Sequence, residues 1–359
     1  MADAWAAPAD EDDYHLGRYL DAIRGGDRRA AVDVALELLD LGATAEDVVT
    51  HLLARAQSQV GRGWEQGRWS IALEHRATAI TESALEATVA AARTLPGAVP
   101  EGARGRATVL CSEGEWHSLP GRMMADVLRL RGIDVEFVGP SLPAHELTAY
   151  LGPDPPPVVA VSCSLSQSLV GAWHAITTLR RIGTTVVVGG RGFGPHGRWA
   201  TPVGADQWAP TFSHGADLVM RSLREPPAPS RDTPRDEDRT AEVRFLERFG
   251  ESMVERAVAE AVAAWPQVMA RDAALRATRE DLRATLRTVT AAVLVDDDTV
   301  VLEFTGWCER VLGARGLPLA FVPSAYELLL HQLPTEVGRG RAMAEAGRAA
   351  CSDEPLPRS

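Results

Sequence analysis

The chain reads as three modules in a row: an N-terminal all-α bundle of four or five helices, a central α/β flavodoxin-like (Rossmann-like) parallel sheet, and a C-terminal all-α domain. Three observations predict this. Apolar residues before residue 97 and after residue 240 recur at helical spacing. Between those limits, short β-branched runs alternate with helical segments, the order of a parallel sheet covered on both faces. Proline-rich stretches, Pro96–Pro100 and Pro226–Pro229, divide the three.

In residues 1–97, Leu16, Tyr19, Leu20 and Ile23 make one helical stripe, and Val32, Ala35, Leu36 and Leu39 a second. Gly25-Gly26-Asp27 and Leu41-Gly42-Ala43-Thr44 interrupt them, the glycine ending one helix and Asp27 or Thr44 capping the next. Two more helices are expected, over 45–61 and 70–95. In residues 104–224, strands are expected at Ala107–Cys111, Val135–Val138, Val158–Ser164 and Thr184–Val188, with helices near 118–131, 143–151 and 168–182. Residues 225–240 read as a polar linker. In 241–334, Val243, Leu246, Val254, Val258 and Val262 form one stripe, Leu275, Leu282, Leu286 and Val289 another, and Leu302–Leu312 and Ala325–Leu333 two more helices. Residues 335–359, small and polar, are expected to be a flexible tail.

Composition narrows the function. A formal net charge of −12 argues against sequence-independent nucleic-acid binding, which needs clustered Lys and Arg. Cys111, Cys163, Cys308 and Cys351 form no CxxC pair, so a thiolate zinc site is not expected. The acidic first 14 residues have no apolar core of a signal peptide, and no apolar run reaches the ~20 residues that span a bilayer. A cytoplasmic protein with no membrane partner is expected.

The chemistry concentrates after the first strand, in Glu113-Gly114-Glu115-Trp116-His117-Ser118-Leu119-Pro120-Gly121. His117 stands on a loop at the carboxyl edge of the sheet, where ligands of such sheets dock. Imidazole is a transition-metal ligand, and Glu115 is placed to hold its other ring nitrogen. Taken alone, a Glu-x-His on a loop is more often a solvated polar pair than a ligand. Gly190-Arg191-Gly192-Phe193-Gly194 also permits a dinucleotide loop, though it follows the fourth strand rather than the first.

Three spaced segments decide between these. Glu115-Trp116-His117 is followed by Ser162-Cys163-Ser164, with 41 residues between Pro120 and Ser162, and later by Gly189-Gly190. This set resembles the cobalamin-binding domain family, whose histidine replaces the vitamin's own base on cobalt while the displaced tail enters a slot lined by the Ser and Gly-Gly segments. The resemblance implies His117 as the metal ligand. It implies Glu115, Trp116, Ser118, Leu119, Ser162, Ser164, Gly189, Gly190, Gly192 and Phe193 as cofactor-binding residues. Pro120 stands where the family has Gly, with Gly121 one later, and Ser164 replaces a Leu. In the bundle, Trp64, nine residues, then Glu74-His75 is similar to the signature of CarH-type cobalamin photoreceptors. That resemblance implies adenosylcobalamin, with Trp64, Glu74 and His75 over its upper face. The residue after the tryptophan is Glu65, where photoreceptors with a second histidine ligand have His.

No winged-helix domain precedes the bundle in this chain, so direct DNA binding is not expected, and the output is assigned to a change of oligomer, an effector protein or the third domain. A bundle, a cobalamin domain and a C-terminal helical domain together resemble the photocobilins, whose globin-like domain holds a bilin. That resemblance implies biliverdin or a related bilin, with Trp307, Arg310, Tyr326 and His331 around it and Cys308 as a conceivable attachment point. The expectation is therefore a light-responsive homo-oligomer. The alternatives are a corrinoid carrier of a methyltransferase system and a nucleotide-dependent oxidoreductase.

Overall fold

The computed structural model describes residues 9–95, 104–225, 236–352 and Leu356. The described chain falls into two units. The first comprises Met1–Ser164, His174–Gly190 and Ala205–Pro229, and the second Leu165–Trp173, Arg191–Gly204 and Ser230–Ser359. The proline-rich stretches 96–100 and 226–229 lie outside the described residues.

The first unit opens with helices α1 (Ala9–Gly25) and α2 (Arg28–Asp40). A short α3 (Ala45–Asp47) continues through a π-helical segment, Val48–Leu53, into α4 (Ala54–Glu65), and α5 (Ile71–Thr94) follows. The turn chemistry is local. Asp27 accepts the Ala30 N–H at 3.0 Å, Thr44 and Asp47 form a reciprocal capping box, and Ser70 accepts the Leu73 N–H at 3.2 Å. Gly26 and Gly42, at φ +80° and +96°, adopt the left-handed turns between helices. The buried face of α2 is Ala31, Val34, Ala35 and Leu38, rotated from the expected Val32, Leu36 and Leu39, which are partly exposed. Tyr19 is fully buried, its hydroxyl 3.1 Å from Thr81 Oγ1. The buried tryptophan of the bundle is Trp69, packed so closely on Gly63 that a Cβ there would lie 2.4 Å from the indole.

The sheet has β1 (Arg106–Cys111), β2 (Asp134–Gly139), β3 (Val158–Ser162), β4 (Thr185–Gly189) and β5 (Gln207–Ala209), all parallel in the order β2-β1-β3-β4-β5. This is the doubly wound flavodoxin-type order, with its switch point between β1 and β3. Helices α6 (Ser118–Leu130), α7 (Ala144–Leu151), α8 (Leu169–Arg181) and α9 (Phe212–Arg224) accompany it. Every residue of β3 is buried, as a central parallel strand requires. β3 ends at Ser162, so Ser164 lies beyond it. β5 was not expected, since Gln-Trp-Ala contains no β-branched residue.

The bundle and the sheet share one core, running from Leu85 and Val89 on α5 to Leu119 and Met123 on α6. Arg131, just past α6, binds Glu46 at 2.8 and 2.5 Å and Asp217 of α9 at 2.5 Å, while Ser213 donates to Glu46 at 2.7 Å. The more exposed Arg122 of α6 meets Glu86 of α5 at 2.6 Å.

In the second unit, α10 (Glu237–Ala264), α11 (Pro266–Met269), α12 (Asp272–Val295), α13 (Thr299–Gly313), α14 (Phe321–Gln332) and α15 (Gly338–Ala349) pack with the segments 165–173 and 191–204. α10 starts inside the expected linker because Asp236 caps it through the Arg239 N–H at 3.0 Å. Val262, placed in the core stripe by the sequence, is 40% exposed. The expected flexible tail instead forms α15. Its Gly340, Ala344 and Gly347 let the backbone approach closely, and a Cβ on Gly347 would lie 2.4 Å from the Tyr326 ring. A helix whose buried face is Gly and Ala carries almost no apolar signal. Among the described residues no helix is long and apolar enough to cross a membrane.

Candidate functional site

The loop between β1 and α6 is built around a buried carboxylate. Glu115 is fully buried. Its Oε1 accepts the His117 N–H at 2.8 Å and pairs with His117 Nδ1 at 2.6 Å, while Oε2 accepts the Ser164 N–H at 2.7 Å. Burial pushes this carboxyl up, but the hydrogen bonds from His117 and Ser164 outweigh it and hold it below the usual range. The bond to Glu115 in turn raises His117, and the Glu74 carboxylate adds to that rise. With Nδ1 committed to Glu115, Nε2 is the nitrogen left to ligate a metal. The His117 side chain is 56% exposed and Trp116 stands 74% exposed beside it.

Two contacts that the sequence did not suggest brace the loop. Ser141 Oγ accepts the Gly114 N–H at 3.1 Å, and Glu113 accepts the Ala144 N–H at 3.2 Å. Both come from the turn after β2, where Gly139 and Ser141 have φ of +100° and +52°. Gly139-Pro140-Ser141 was the only sequence signal of that turn. Gly121 takes the close-approach role despite its shifted position. A Cβ there would lie 3.1 Å from Cys111 Sγ and 3.2 Å from the Phe137 ring.

Ser162 and Gly189 pair in register across β3 and β4, and Cys163 N–H donates to Gly189 O at 3.0 Å. Gly190, at φ +109°, lies so near Cys163 that a Cβ would sit 2.2 Å from its carbonyl oxygen. Leu119 and Phe193 are buried at 5% and 0%, so they serve packing rather than an open slot. Gly192 is likewise buried, in a 3-10 turn of the second unit, while Ser118 starts α6 partly exposed.

In the bundle, Trp64 at the end of α4 is half-buried against the core, and Glu74, in the first turn of α5, accepts from Thr78 Oγ1 at 3.1 Å. His75 Nδ1 meets Glu74 at 2.5 Å and its ring is largely exposed. Glu74 is near enough to His117 for its charge to act on the imidazole. Two modules of the first unit thus present polar groups to one place.

These residues fit a corrinoid on two counts. The donor set is one exposed imidazole backed by a buried carboxylate, the arrangement of a single axial ligand. The Ser112 hydroxyl, buried at the carboxyl end of β1, has no hydrogen-bond partner.

The bilin does not fit in the same way. Tyr326 is buried and bonded to Thr305 at 2.8 Å; Trp307 stacks on Phe304; His331 pairs with Glu260 at 2.8 Å; Arg310 is exposed. Each has its own neighbour. The second unit does contain a cavity of about 660 Å³, lined by Arg198, Trp199, Asp296, Asp297, Asp298 and Met343 among others. Its arginine is already paired with Asp297 at 2.8 Å, so the carboxylates of a bilin would face three Asp side chains.

Two family models match the first unit. Residues 16–88 match one described as B12 binding domain, and residues 105–211 match a second of the same description. Both support cobalamin binding. No curated protein matches the chain. Among solved structures, the monomethylamine corrinoid protein of Methanosarcina barkeri aligns at a TM-score of 0.51 and 17% identity, covering 58% of this chain and 99% of that one. The methanol:cobalamin methyltransferase complex of the same organism aligns at 0.31 and 16%, covering 61% of this chain and 81% of that one. A cobalamin-binding protein from Desulfitobacterium hafniense DCB-2 aligns at 0.31 and 19%, covering 57% and 97%. The first of these likenesses shows a shared fold.

Proposed function

Since the chain carries two B12-binding domains, a helical one over 16–88 and an α/β one over 105–211, we propose that it is a light-responsive signalling protein that holds adenosylcobalamin base-off, with His117 as lower ligand. The observation that carries this reading is Glu74. This residue, in the first turn of α5, bears electrostatically on His117 of the other domain. On this reading the bundle would form a lid over the corrinoid face opposite His117. Trp64 offers a flat apolar surface for an adenine, and Glu74 and His75 offer hydrogen-bonding groups for a ribose. Glu115 fixes the His117 tautomer and keeps its Nε2 basic. The corrinoid, when bound, supplies a photolabile cobalt–carbon bond. With the corrinoid bound, the chain's part would be to exclude water from its upper face, with Trp64 packing over it and Glu74 and His75 offering hydrogen bonds.

Purified protein loaded with the adenosyl form in the dark tests this. Green light is expected to change its absorption spectrum and its oligomeric state, and Trp64→Ala to abolish a preference for the adenosyl over the methyl form. An unchanged spectrum and mass after illumination would refute it. A methyl-carrier role is the second reading, favoured by the near-complete coverage of the Methanosarcina corrinoid protein within 58% of this chain. It predicts methylcobalamin in the isolated protein and no adenosyl preference.

A further inference from the structure

Two of the four cysteines come together in the second unit. Cys308 lies on α13 and Cys351 just past α15, and both are free thiols at partly exposed positions. Contacts on either side hold them in step. One turn before Cys308, Thr305 Oγ1 donates to the Gly347 carbonyl at 3.4 Å, and Cys351 Sγ donates to that same oxygen at 3.4 Å. Next to Cys308, Glu309 accepts from Ser352 N and Oγ at 2.6 and 2.9 Å. Cys308 is thus bracketed by Thr305 and Glu309, and Cys351 by Gly347 and Ser352, along two segments that run side by side in one direction. Tyr326, bonded to Thr305, closes the buried side of the seam, and each thiol bears electrostatically on its hydroxyl. Cys111 and Cys163, by contrast, are fully buried in the first unit.

We propose that Cys308 and Cys351 are a redox pair that closes to a disulfide and pins α13 to the carboxyl end of α15. The co-reactant is a low-molecular-weight disulfide. One cysteine thiolate attacks a sulfur of that disulfide, whose S–S bond breaks to release one small thiol and leave a mixed disulfide on the protein. The second cysteine then attacks the protein-bound sulfur and expels the second small thiol. The two cysteine protons end on the two released thiols, and the small disulfide accepts the two electrons. Burial pushes both cysteine thiols up to about 12, so the thiolate is scarce near neutrality and closure accelerates about tenfold per pH unit below that value. Ala342, Met343 and Ala346 of α15 line the cavity, so the bond fixes one of its walls.

The test treats the full chain with excess oxidised glutathione at mildly alkaline pH, followed by alkylation and non-reducing peptide mapping. The expected product is a peptide joining Cys308 to Cys351, with Cys111 and Cys163 recovered as thiols. Oxidation raises the thermal midpoint by several degrees in the wild type and by nothing in Cys351→Ser, where glutathione stays attached to Cys308. Cys308→Ala gives the reciprocal result if Cys351→Ser folds poorly. Absence of the joined peptide from a chain that remains folded overturns the proposal, as does a joined peptide without any rise in midpoint.

Discussion

Replacing Glu115 by Gln tests the ligand assignment from beneath. The carboxylate is fully buried and accepts three hydrogen bonds, from His117 Nδ1, His117 N and Ser164 N. Gln keeps the volume and one acceptor oxygen. If that oxygen stays with His117, the amide NH₂ faces the Ser164 N–H, donor against donor. A lost hydrogen bond to a charged group is worth ~1.5–3 kcal/mol, and an unsatisfied buried N–H adds ~1–3 kcal/mol. Destabilisation of the apo chain by roughly 2–4 kcal/mol follows, since partial relaxation of the loop recovers some of the sum. Cobalamin affinity should fall further, by about 10–100-fold, because the imidazole loses the anion that orients it. Urea unfolding of the apo chain reads the first effect, and absorption titration with cobalamin in the dark reads the second. His117→Ala provides the reference spectrum of a corrinoid without the histidine. If Glu115→Gln lowers stability yet leaves affinity and spectrum within twofold of the wild type, then Glu115 is only a loop brace and the ligand argument fails.

Other perturbations reach other parts of the molecule. Gly190→Ala places a Cβ 2.2 Å from Cys163 O at a φ of +109°, and should lower stability by ~2–4 kcal/mol and weaken cobalamin binding; Gly183→Ala, at φ +84° with nothing within 4 Å, should cost only ~1 kcal/mol in the same thermal assay. Burial pushes the Glu46 carboxyl up, but hydrogen bonds from Arg131 and Ser213 leave it below its ordinary 4.5, so its contribution is full above that pH and disappears as pH falls through the lower folded value. A midpoint gap between wild type and Glu46→Gln that persists unchanged into strong acid would contradict this. Asp297→Ala removes the acceptor of the Trp199 indole N–H at 3.0 Å and the partner of Arg198, and should lower the urea midpoint by an amount equivalent to ~1–3 kcal/mol.

Much of this architecture was legible in the residues. The Asp27, Thr44 and Ser70 caps and the β-branched runs of β1, β3 and β4 are local signals, and local signals place elements. The hydrogen-bonded Glu115–His117 pair was legible because its two members stand two residues apart. What failed depended on distant partners. The α2 stripe was rotated about Ala35, because Ala31 packs as well as a larger apolar residue when helices approach closely and draws Val34 and Leu38 inward with it. α15 was missed for the same reason, since Gly347 is buried by Tyr326 rather than by its own hydrophobicity. β5 is held by Val187, Val188 and Gly189 of β4, not by its own propensity. The four bilin residues shared a compositional suitability, but nothing in their spacing required their side chains to meet.

The salt-bridged node at Arg131 has a mechanical consequence. It lies at the end of α6 remote from the His117 loop, some ~20 Å along that helix. From Glu46 the continuous helical rod of α3, the π segment and α4 extends roughly 30 Å to Trp64. That rod is held at both ends, at Glu46 by Arg131 and at Trp64 by packing on the bundle core. Close-packed interiors pass strain on rather than absorb it, so a shift of Glu46 is communicated to the indole, while Arg122–Glu86 ties the neighbouring α5 and α6.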